Sequence, residues 1–243
     1  MIEKKIHYIW MGRGPKSELI QKCMESWKVH LSEYEIVEWN EDNFDIHSNK
    51  FVLEAYNNKK WAYVSDYVRL FAIYNHGGIY MDTDMEIMKP LDKFLNHRAF
   101  SGFESVRHIP TGIMGAEKGH PWIKDLLNHY SNNSFLKEDG SLDLTPNVVS
   151  ITDITKEKYK IIMNNQYQVL PEDLHIYPKE FFCPSDYGDT PKQITKKITS
   201  SSYSIHHYDG SWLSTWGKAK TKIKRLLGTT NSEKILNIIN KRN

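Results

Sequence analysis

The spacing of apolar residues predicts alternating strands and helices in the first half of the chain. Residues 6–10 and 35–39 have the short, apolar and aromatic character of strands, and residues 17–31 between them have the character of a helix. From residue 61 to residue 74 the apolar positions recur with helical spacing, so one face of that helix is expected to be buried. Strands separated by helices favour a parallel or mixed sheet that is covered by helices.

The second half of the chain gives a weaker pattern. Residues 99–103, 112–116 and 203–208 resemble strands, and residues 121–130 resemble a helix. Residues 134–200 are mixed and rich in turn formers, so no element is assigned there. We expect one α/β domain at residues 1–215 and a basic, helical C-terminal tail at residues 216–243.

One segment combines this pattern with candidate chemistry. Asp66 and Arg69 are three positions apart and share a helical face. Two glycines, the first at a position that suits the left-handed end of a helix, then lead into a short apolar strand that ends in Asp82 and Asp84. Open α/β sheets bind ligands at their strand ends, and carboxylates bind Mg²⁺ and Mn²⁺ together with substrate phosphates. This succession of helix, glycines, apolar strand and paired carboxylates predicts a metal-assisted site for a phosphorylated substrate. The alternative is a solvated surface turn.

A second candidate site lies near the end of the predicted domain. His206 and His207 would point to opposite faces of a strand, so one of them is available as a third ligand beside the carboxylates. Gly210 and Ser211 offer backbone amides and a hydroxyl that suit phosphate oxygens. The alternative is an ordinary strand end with a hydrogen-bonded histidine and Trp212 in the core.

Composition narrows the class of protein. A chain of 243 residues with 40% hydrophobic residues is long enough for a sizeable core. Cys23 and Cys183 show no paired spacing, which argues against a disulfide framework or a thiolate metal site and favours the cytoplasm. No apolar signal-peptide region and no run of 18 apolar residues is present, so neither export nor a membrane span is expected.

Charge is distributed unevenly along the chain. Residues 216–243 contain eight Lys and Arg against one Glu, whereas the rest of the chain is net acidic. A basic helix with one apolar side predicts peripheral binding to an anionic membrane surface, with a solvated terminal helix as the alternative. No nucleic-acid-binding motif accompanies the charge, so no nucleic-acid partner is expected.

Taken together, the motifs resemble glycosyltransferase family 32. This group of DXD-motif sugar transferases includes bacterial capsular and lipopolysaccharide enzymes, initiating mannosyltransferases and, more distantly, the clostridial glucosylating toxins. The matching motifs span about residues 4–213, and they are Lys5-Ile-His-Tyr-Ile-Trp10, Ala62-x-x-Ser65-Asp66-x-x-Arg69, Gly77-Gly78-Ile-Tyr-x-Asp82-x-Asp84, Gly115-Ala-Glu-Lys-Gly-His120-Pro121 and His206-His207-x-x-Gly210-Ser211-Trp212.

The resemblance implies a GT-A-type, Rossmann-like fold, a nucleotide-sugar donor and a divalent metal, usually Mn²⁺ with Mg²⁺ as the alternative. It implies that Asp82 and Asp84 are metal ligands, and that Asp82 also reaches the ribose or a metal-bound water. His207 is preferred over His206 as the third ligand, because His-Tyr-x-Gly matches a metal-binding motif of the related family 8. The implied catalytic residues are Asp66, Arg69, Asp82 and Asp84.

The same resemblance implies a donor-binding set. Trp10 would stack on the nucleobase, Asp66 and Arg69 would hold the sugar and the diphosphate, and Ser211 and Trp212 would close over the diphosphate. The full implied set is Trp10, Asp66, Arg69, Tyr80, Asp82, His207, Ser211 and Trp212. The chain departs from the family at Thr111 and Thr145, so no nucleophile is assigned, and a front-face mechanism would need none.

The implied function is transfer of a hexose, with retention, from UDP-galactose, UDP-N-acetylglucosamine or UDP-glucose to a glycan or lipid-linked oligosaccharide. The setting would be the synthesis of bacterial capsular or other surface polysaccharide at the inner face of the cytoplasmic membrane. A GDP-mannose-dependent mannosyltransferase is one alternative. A non-catalytic nucleotide-sugar or carbohydrate-binding protein and a metal-dependent phosphotransferase are others, although no Walker-type loop supports the last.

Overall fold

A computed structural model describes residues 1–109 and 112–210 as alternating strands and helices. The strands are β1 (Lys5–Ile9), β2 (Glu35–Trp39), β3 (Gly78–Met81), β4 (Met85–Ile87), β5 (Ala99–Gly102), β6 (Ile113–Ala116), β7 (Gln168–Leu170), β8 (Leu174–Tyr177) and β9 (Ser204–His206). The α-helices are α1 (Glu18–His30), α2 (Lys50–Asn57), α3 (Trp61–His76), α4 (Pro121–Ser131), α5 (Asn147–Tyr159), α6 (Lys179–Phe182) and α7 (Pro191–Lys197). Short 3₁₀ turns lie at Ile46–Ser48, Asp92–Phe94 and Pro171–Asp173.

A mixed sheet forms the centre of the described part of the chain, with strand order β2-β1-β3-β6-β5-β8-β7. β1 is parallel to both β2 and β3, and β5 is parallel to β8. β6 runs antiparallel between β3 and β5, and β7 is antiparallel to β8. Consequently β1, β3, β5 and β8 all point in one direction, and their C-terminal ends share one edge of the sheet.

Two hydrophobic clusters cover the two faces of this sheet. Alternate residues of β3 belong to different clusters: Tyr80 packs in one, and Ile79 and Met81 pack in the other. Successive side chains of a strand point to opposite faces, so the clusters lie on opposite sides. All four residues of β3 are buried, which explains why this strand is apolar throughout rather than alternating.

The junction between α3 and β3 depends on two glycines. Gly77 ends the helix with φ 64° and ψ −172°, and its N–H donates to the carbonyl of Ile73. Positive φ with extended ψ is a region that essentially only glycine occupies. Gly77 thus ends the helix as expected, but with extended ψ rather than the left-handed helical value. The chain enters β3 at once, which brings the end of α3 and the start of β3 together.

The predicted fold class is confirmed as α/β, with a mixed sheet flanked by helices. The strands and helices predicted within residues 6–130 and 203–208 are present, with ends that differ by one or two residues. The predicted helix at 17–31 begins at Glu18 because the Ser17 side chain accepts from the Ile20 N–H as its N-cap. The unassigned region 134–200 contains α5, β7, β8, α6 and α7.

Two further predictions concern the C-terminal tail and membrane-spanning helices. The tail at 216–243, and with it the domain boundary at 215, lies outside the described residues. Within residues 1–109 and 112–210, none of the helices is long and apolar enough to cross a membrane.

Candidate active site

A cleft of about 680 Å³ opens at the C-terminal ends of β1 and β3. Parallel strands carry their ligands at this edge, so the location agrees with the fold. The cleft brings together six of the sequence-predicted site residues and, with them, His206, the less preferred of the two candidate histidines. The six are Trp10, Asp66, Arg69, Tyr80, Asp82 and Asp84. Ser211 and Trp212 lie outside the described residues.

The turn after β3 carries the two carboxylates of the DXD motif. His206 faces both of them: its Nε2 lies 3.3 Å from Asp84 Oδ1 and 3.7 Å from Asp82 Oδ2. One ligand atom from each of the three side chains lies within 4.8 Å of the others. The second oxygen of Asp84 accepts a 2.6 Å hydrogen bond from the Asp209 N–H, which fixes the orientation of this carboxylate.

A small two-stranded sheet places His206 beside the DXD turn. β9 pairs antiparallel with β4, and His206 lies opposite Met85, the residue that follows Asp84. Gly112 leaves room for the imidazole, because a Cβ at that position would come within 3.2 Å of His206 Nδ1. The Ser185 hydroxyl donates a 2.6 Å hydrogen bond to the His206 carbonyl and holds the strand from the other side.

His207, the residue preferred from the sequence, occupies a different environment. Its ring Nε2 lies 2.7 Å from Glu86 Oε2, while its backbone N–H donates to the carbonyl of Asp84. Because neighbouring residues of an extended chain point to opposite sides, only one of the two rings can face the DXD turn. The geometry therefore favours His206, not His207, as the imidazole beside the carboxylates. The motif match that led to His207 could not reveal which side β9 presents to the turn.

Asp66 and Arg69 form the second charged group of the cleft. Arg69 Nη2 lies 3.0 Å from Asp66 Oδ1 and 3.6 Å from Asp82 Oδ1, so this cation connects the helix to the DXD turn. The guanidinium also lies over the ring of Tyr80, 4.4 Å from its centroid. The Tyr80 hydroxyl in turn donates a short hydrogen bond to Asp82. These contacts fix Asp82 from the side opposite His206.

Asn147 is a site residue that the sequence analysis missed. It is the first residue of α5, and its side-chain amide donates a 2.5 Å hydrogen bond to Asp66 Oδ1. The only signal in the sequence was a polar residue directly after Pro146, at the start of a helix. Residues 134–200 gave no readable pattern, so nothing indicated that this helix would reach the cleft.

Burial and charge alter the proton affinity of these groups in opposite directions. Burial raises the pKa of Asp66 to about 7, although Arg69 acts against the shift. Burial also acts against ionisation of Asp84, but His206 outweighs it and lowers the pKa of Asp84 to about 2. Desolvation would lower the pKa of His206, yet the Asp84 carboxylate raises it well above its usual range. Asp84 and His206 therefore form a buried ion pair.

An aromatic wall borders the other end of the cleft. Trp10 follows β1, and its indole N–H donates a 2.7 Å hydrogen bond to the carbonyl of Gly14. The Lys16 ammonium lies 5.1 Å from the centroid of the Trp10 ring. Trp61 and Tyr187 also line the cleft. Flat rings beside a cation suit a base or a sugar together with a phosphate.

The residues of the DXD turn fit a divalent cation. Two carboxylates and one imidazole are a suitable donor set for Mn²⁺, and they leave coordination positions for phosphate oxygens. Asp84 and His206 can each offer a lone pair once the proton they share is released. Asp66 and Arg69 lie beside this set rather than within it, where they can meet the sugar and diphosphate of a donor.

Parts of the chain are similar in sequence to known glycosyltransferases. Residues 17–101 match the family described as a glycosyltransferase sugar-binding region containing a DXD motif. Inositol phosphoceramide mannosyltransferase 3 of Schizosaccharomyces pombe is 28% identical over 141 residues, which cover 55% of this chain and 38% of that protein. The uncharacterized glycosyltransferase L373 of Acanthamoeba polyphaga mimivirus is 28% identical over 173 residues, 64% of this chain and 67% of that protein.

A solved glycosyltransferase involved in glycosylation of the major capsid of PBCV-1 has a TM-score of 0.47 and 11% sequence identity, covering 90% of this chain and 98% of that one. The present chain spans well under half the length of the S. pombe mannosyltransferase. The family match over residues 17–101 and the named relatives make the chain similar to glycosyltransferases of the DXD-motif type. These similarities support the resemblance to family 32 and the enzyme class inferred from the sequence.

Proposed function

We propose that the protein is a metal-dependent, retaining glycosyltransferase that moves a hexose from a nucleotide sugar to a saccharide or lipid-linked saccharide acceptor. The observation that supports this most strongly is that one cleft contains both charged groups. Asp82, Asp84 and His206 can hold a metal against a diphosphate, while Asp66 and Arg69 lie beside them at the sugar end.

The reaction breaks the bond between the anomeric carbon and the diphosphate oxygen. The nucleoside diphosphate leaves with the bonding electrons, and a hydroxyl oxygen of the acceptor forms the new bond and loses its proton. Asp82, Asp84 and His206 would hold a divalent metal, which would stabilise the negative charge on the departing diphosphate. No carboxylate of the cleft is assigned as a nucleophile, and attack from the leaving-group side gives retention without one.

The protein's own residues orient the donor and exclude water. The Arg69 guanidinium is buried, so its charge acts on a phosphate or a developing charge with little screening by solvent. The pKa of Arg69 is raised, because Tyr80, Asp82 and Asp66 outweigh the cost of its burial, and it stays charged throughout the pH range of any assay. Trp10 would stack on the nucleobase at the other end of the cleft.

Two groups of donors are the candidates. UDP-galactose, UDP-N-acetylglucosamine and UDP-glucose are proposed from the sequence. The S. pombe relative is named as a mannosyltransferase, and this favours GDP-mannose as the second candidate. A screen of these four nucleotide sugars with Mn²⁺ and with Mg²⁺, measuring release of the nucleoside diphosphate, distinguishes them.

The test pairs this screen with a carboxylate variant. Asp84→Asn removes the charge that a metal needs while keeping the shape of the side chain. We expect donor turnover to fall by at least about a hundredfold, the order lost when transition-state charge stabilisation is removed. Asp153→Asn is the matched control, since Asp153 is exposed on α5 and lies outside the cleft.

The outcomes separate the rival classes. Release of nucleoside diphosphate and sugar supports glycosyl transfer, whereas transfer of a phosphoryl group to the acceptor indicates a phosphotransferase. Tight donor binding without turnover, in the presence of any saccharide acceptor tested, indicates a binding protein. If Asp84→Asn and Asp153→Asn turn over the donor equally well, the proposed metal site is wrong.

The acceptor and cellular setting are proposed from the family resemblance and the charge of the tail. A glycan or lipid-linked oligosaccharide of bacterial surface or capsular polysaccharide would be presented at the inner face of the cytoplasmic membrane. Eight Lys and Arg in residues 216–243 would hold the enzyme at that anionic surface by electrostatic attraction. No nucleic-acid partner is proposed.

A further inference from the structure

A second group of metal-binding side chains lies away from the cleft. His97, Asp173 and His175 each offer a ligand atom, and these atoms lie within 4.8 Å of one another. His175 Nε2 is 2.9 Å from Asp173 Oδ1, and the rings of His97 and His175 stack with centroids 3.5 Å apart. In residues 1–109 and 112–210, this is the one such group besides that of the DXD turn.

The group sits at the opposite edge of the sheet from the DXD turn. His97 precedes β5, and Asp173 and the first residues of β8 lie beside it, since Ala99 pairs with Leu174. β5 and β8 run in the same direction as β3, so these residues mark the N-terminal ends of strands whose C-terminal ends face the cleft. This group therefore cannot contact a donor bound at the DXD turn.

The protein positions Asp173 by an unusual backbone. Glu172 and Asp173 are consecutive non-glycine residues with positive φ, 63° and 54°. Such backbone conformations cost free energy, and they recur where a side chain must be placed for a purpose. Asp173 Oδ2 accepts a 3.0 Å hydrogen bond from the Arg98 N–H, which leaves Oδ1 facing His175.

The histidines are also held by neighbouring groups. The Tyr167 hydroxyl lies 2.6 Å from His175 Nδ1, so Nε2 is the nitrogen directed at the carboxylate. The Tyr177 hydroxyl lies 2.7 Å from His97 Nε2. A hydrogen bond on one ring nitrogen that fixes the other as the ligand is the usual arrangement around metal-bound histidine.

We propose that His97, Asp173 and His175 form a binding site for a divalent first-row metal, with Zn²⁺ as the best match. Two imidazoles and one carboxylate are a known zinc donor set, with water in the fourth position. Bonds of about 2.0–2.1 Å place neighbouring ligand atoms about 3 Å apart, as His175 and Asp173 already are. His97 is half-buried, and its ligand nitrogen lies within 4.8 Å of the other two ligand atoms, so its ring would have to move to reach that spacing.

A metal here would act as a clip between β5 and β8. The three ligands come from the loop before β5 and from both sides of the β8 start, which are far apart in sequence. Binding to the folded state alone stabilises it, because the unfolded chain does not bring the ligands together. The site is thus proposed as a stabilising metal site that is independent of donor turnover.

The test uses Zn²⁺ itself in a background without the DXD site. Asp84→Asn protein, stripped with chelator, is titrated with Zn²⁺ by competition with a fluorescent zinc indicator, and its thermal unfolding is followed with and without Zn²⁺. We expect one equivalent of Zn²⁺ to bind and to raise the unfolding temperature. His97→Gln in the same background removes a proposed ligand and should weaken binding at least about tenfold, the smallest loss usual when only an outer-shell partner of a ligand is removed.

Two further variants keep the result interpretable. His47→Gln is the matched control, since His47 is exposed on the Ile46–Ser48 turn and belongs to neither metal group. Asp173→Asn keeps an oxygen to accept from Arg98 but loses the charge, so it should fold and still lose zinc affinity. If the His97→Gln and Asp173→Asn proteins bind Zn²⁺ as tightly as the His47→Gln protein, the proposal is overturned, and the three residues are a hydrogen-bonded link only.

Discussion

Asp66 has a carboxyl group whose burial disfavours its ionised form. Its carboxyl is buried, and burial raises its pKa to about 7 despite the nearby Arg69. The usual pKa of this group in an unfolded chain is 3.8. The folded protein therefore retains a proton on Asp66 over a pH range in which the unfolded chain has lost it. This difference makes stability depend on pH.

The sign follows from the linkage between proton binding and folding. A raised folded-state pKa stabilises the folded state fully below pH 4, and this contribution is lost as the pH rises to about 7. We expect Asp66→Asn to remove the contribution of Asp66 to this dependence, so that the free energy of unfolding of the wild type falls relative to the variant by on the order of 3 kcal/mol between about pH 5 and pH 8. Urea unfolding of both proteins at these pH values provides the measurement.

The control for this prediction is the comparison of the two proteins at each pH. The Asp84–His206 pair is present in both proteins, so the effect of its shifted pKa values cancels in the difference between them. A difference between the two proteins that stays constant from pH 5 to pH 8 would show that Asp66 titrates normally in the folded state.

Asn147 is expected to position Asp66 rather than to act on the substrate directly. Asn147→Ala removes a hydrogen bond to the carboxyl, an interaction of about 1.5–3 kcal/mol when the acceptor is charged. Donor turnover should fall by roughly ten- to a hundredfold. Steady-state kinetics against Asn133→Ala, an exposed asparagine at the end of α4, provides the comparison. Equal kcat/KM values would remove Asn147 from the site.

At the residue scale, the sequence is sufficient to find four of the charged groups. Asp66, Arg69, Asp82 and Asp84 are local: they belong to one helix–glycine–strand segment, whose geometry follows from short-range rules. His206 and Asn147 reach the cleft through contacts between distant segments. No local pattern determines which face of β9 meets the DXD turn, so the choice between His206 and His207 required the structure.

The turn from α3 into β3 is the element on which the site depends. Gly78 has φ 98°, and a Cβ added there would lie 2.7 Å from the backbone carbonyl oxygen of Lys5 in β1. β1 and β3 would have to separate to admit a side chain. The positions of Asp82 and Asp84 depend on the pairing of β1 with β3, because the turn that carries both residues follows β3.

Gly78→Ala is therefore expected to destabilise the protein strongly. The positive φ and the clash with backbone together predict a loss of about 3 kcal/mol in the free energy of unfolding. Gly119→Ala measures the cost of positive φ alone, since Gly119 has φ 75° but no atom lies within 4 Å of an added Cβ. That variant should lose about 1–2 kcal/mol. Thermal or urea unfolding of both measures the difference, and equal losses would contradict the steric argument.

At the element scale, the first half of the fold was predictable and residues 134–200 were not. The early strands and helices have clear periodicity and are bounded by glycine or a capping residue such as Ser17. By contrast, β7 and β8 have three and four residues, and α6 has four. Segments this short carry too few positions for a period to be recognised, and pairing with β5 and the sheet edge decides their structure.

For the whole molecule, the separation of charge has a testable consequence. Residues 216–243 carry an excess of basic residues on a chain whose remainder is net acidic. A basic segment beside an acidic domain would orient the enzyme at an anionic surface, with the tail towards the lipid. Residue-level chemistry in the cleft would not depend on this attachment.

Deleting residues 217–243 is expected to separate these two properties. Binding to vesicles that contain phosphatidylglycerol should fall, while hydrolysis of a soluble nucleotide-sugar donor should remain. Co-sedimentation with anionic and with neutral vesicles measures the first, and nucleoside diphosphate release measures the second. If the shortened protein partitions onto anionic vesicles as the full chain does, the membrane role of the tail is wrong.

The pairing of β4 with β9 also governs when the protein can become active during synthesis. Among the described residues, the last strand of the large sheet along the chain is β8, which ends at Tyr177, whereas His206 and the Asp209 amide are synthesised later. A chain still attached to the ribosome can thus assemble its sheet before its proposed metal set is complete. Products of premature termination that stop before Ser204 would contain the DXD turn but lack His206. They would hydrolyse nucleotide sugars slowly, so incomplete chains would consume little of the cell's nucleotide sugar.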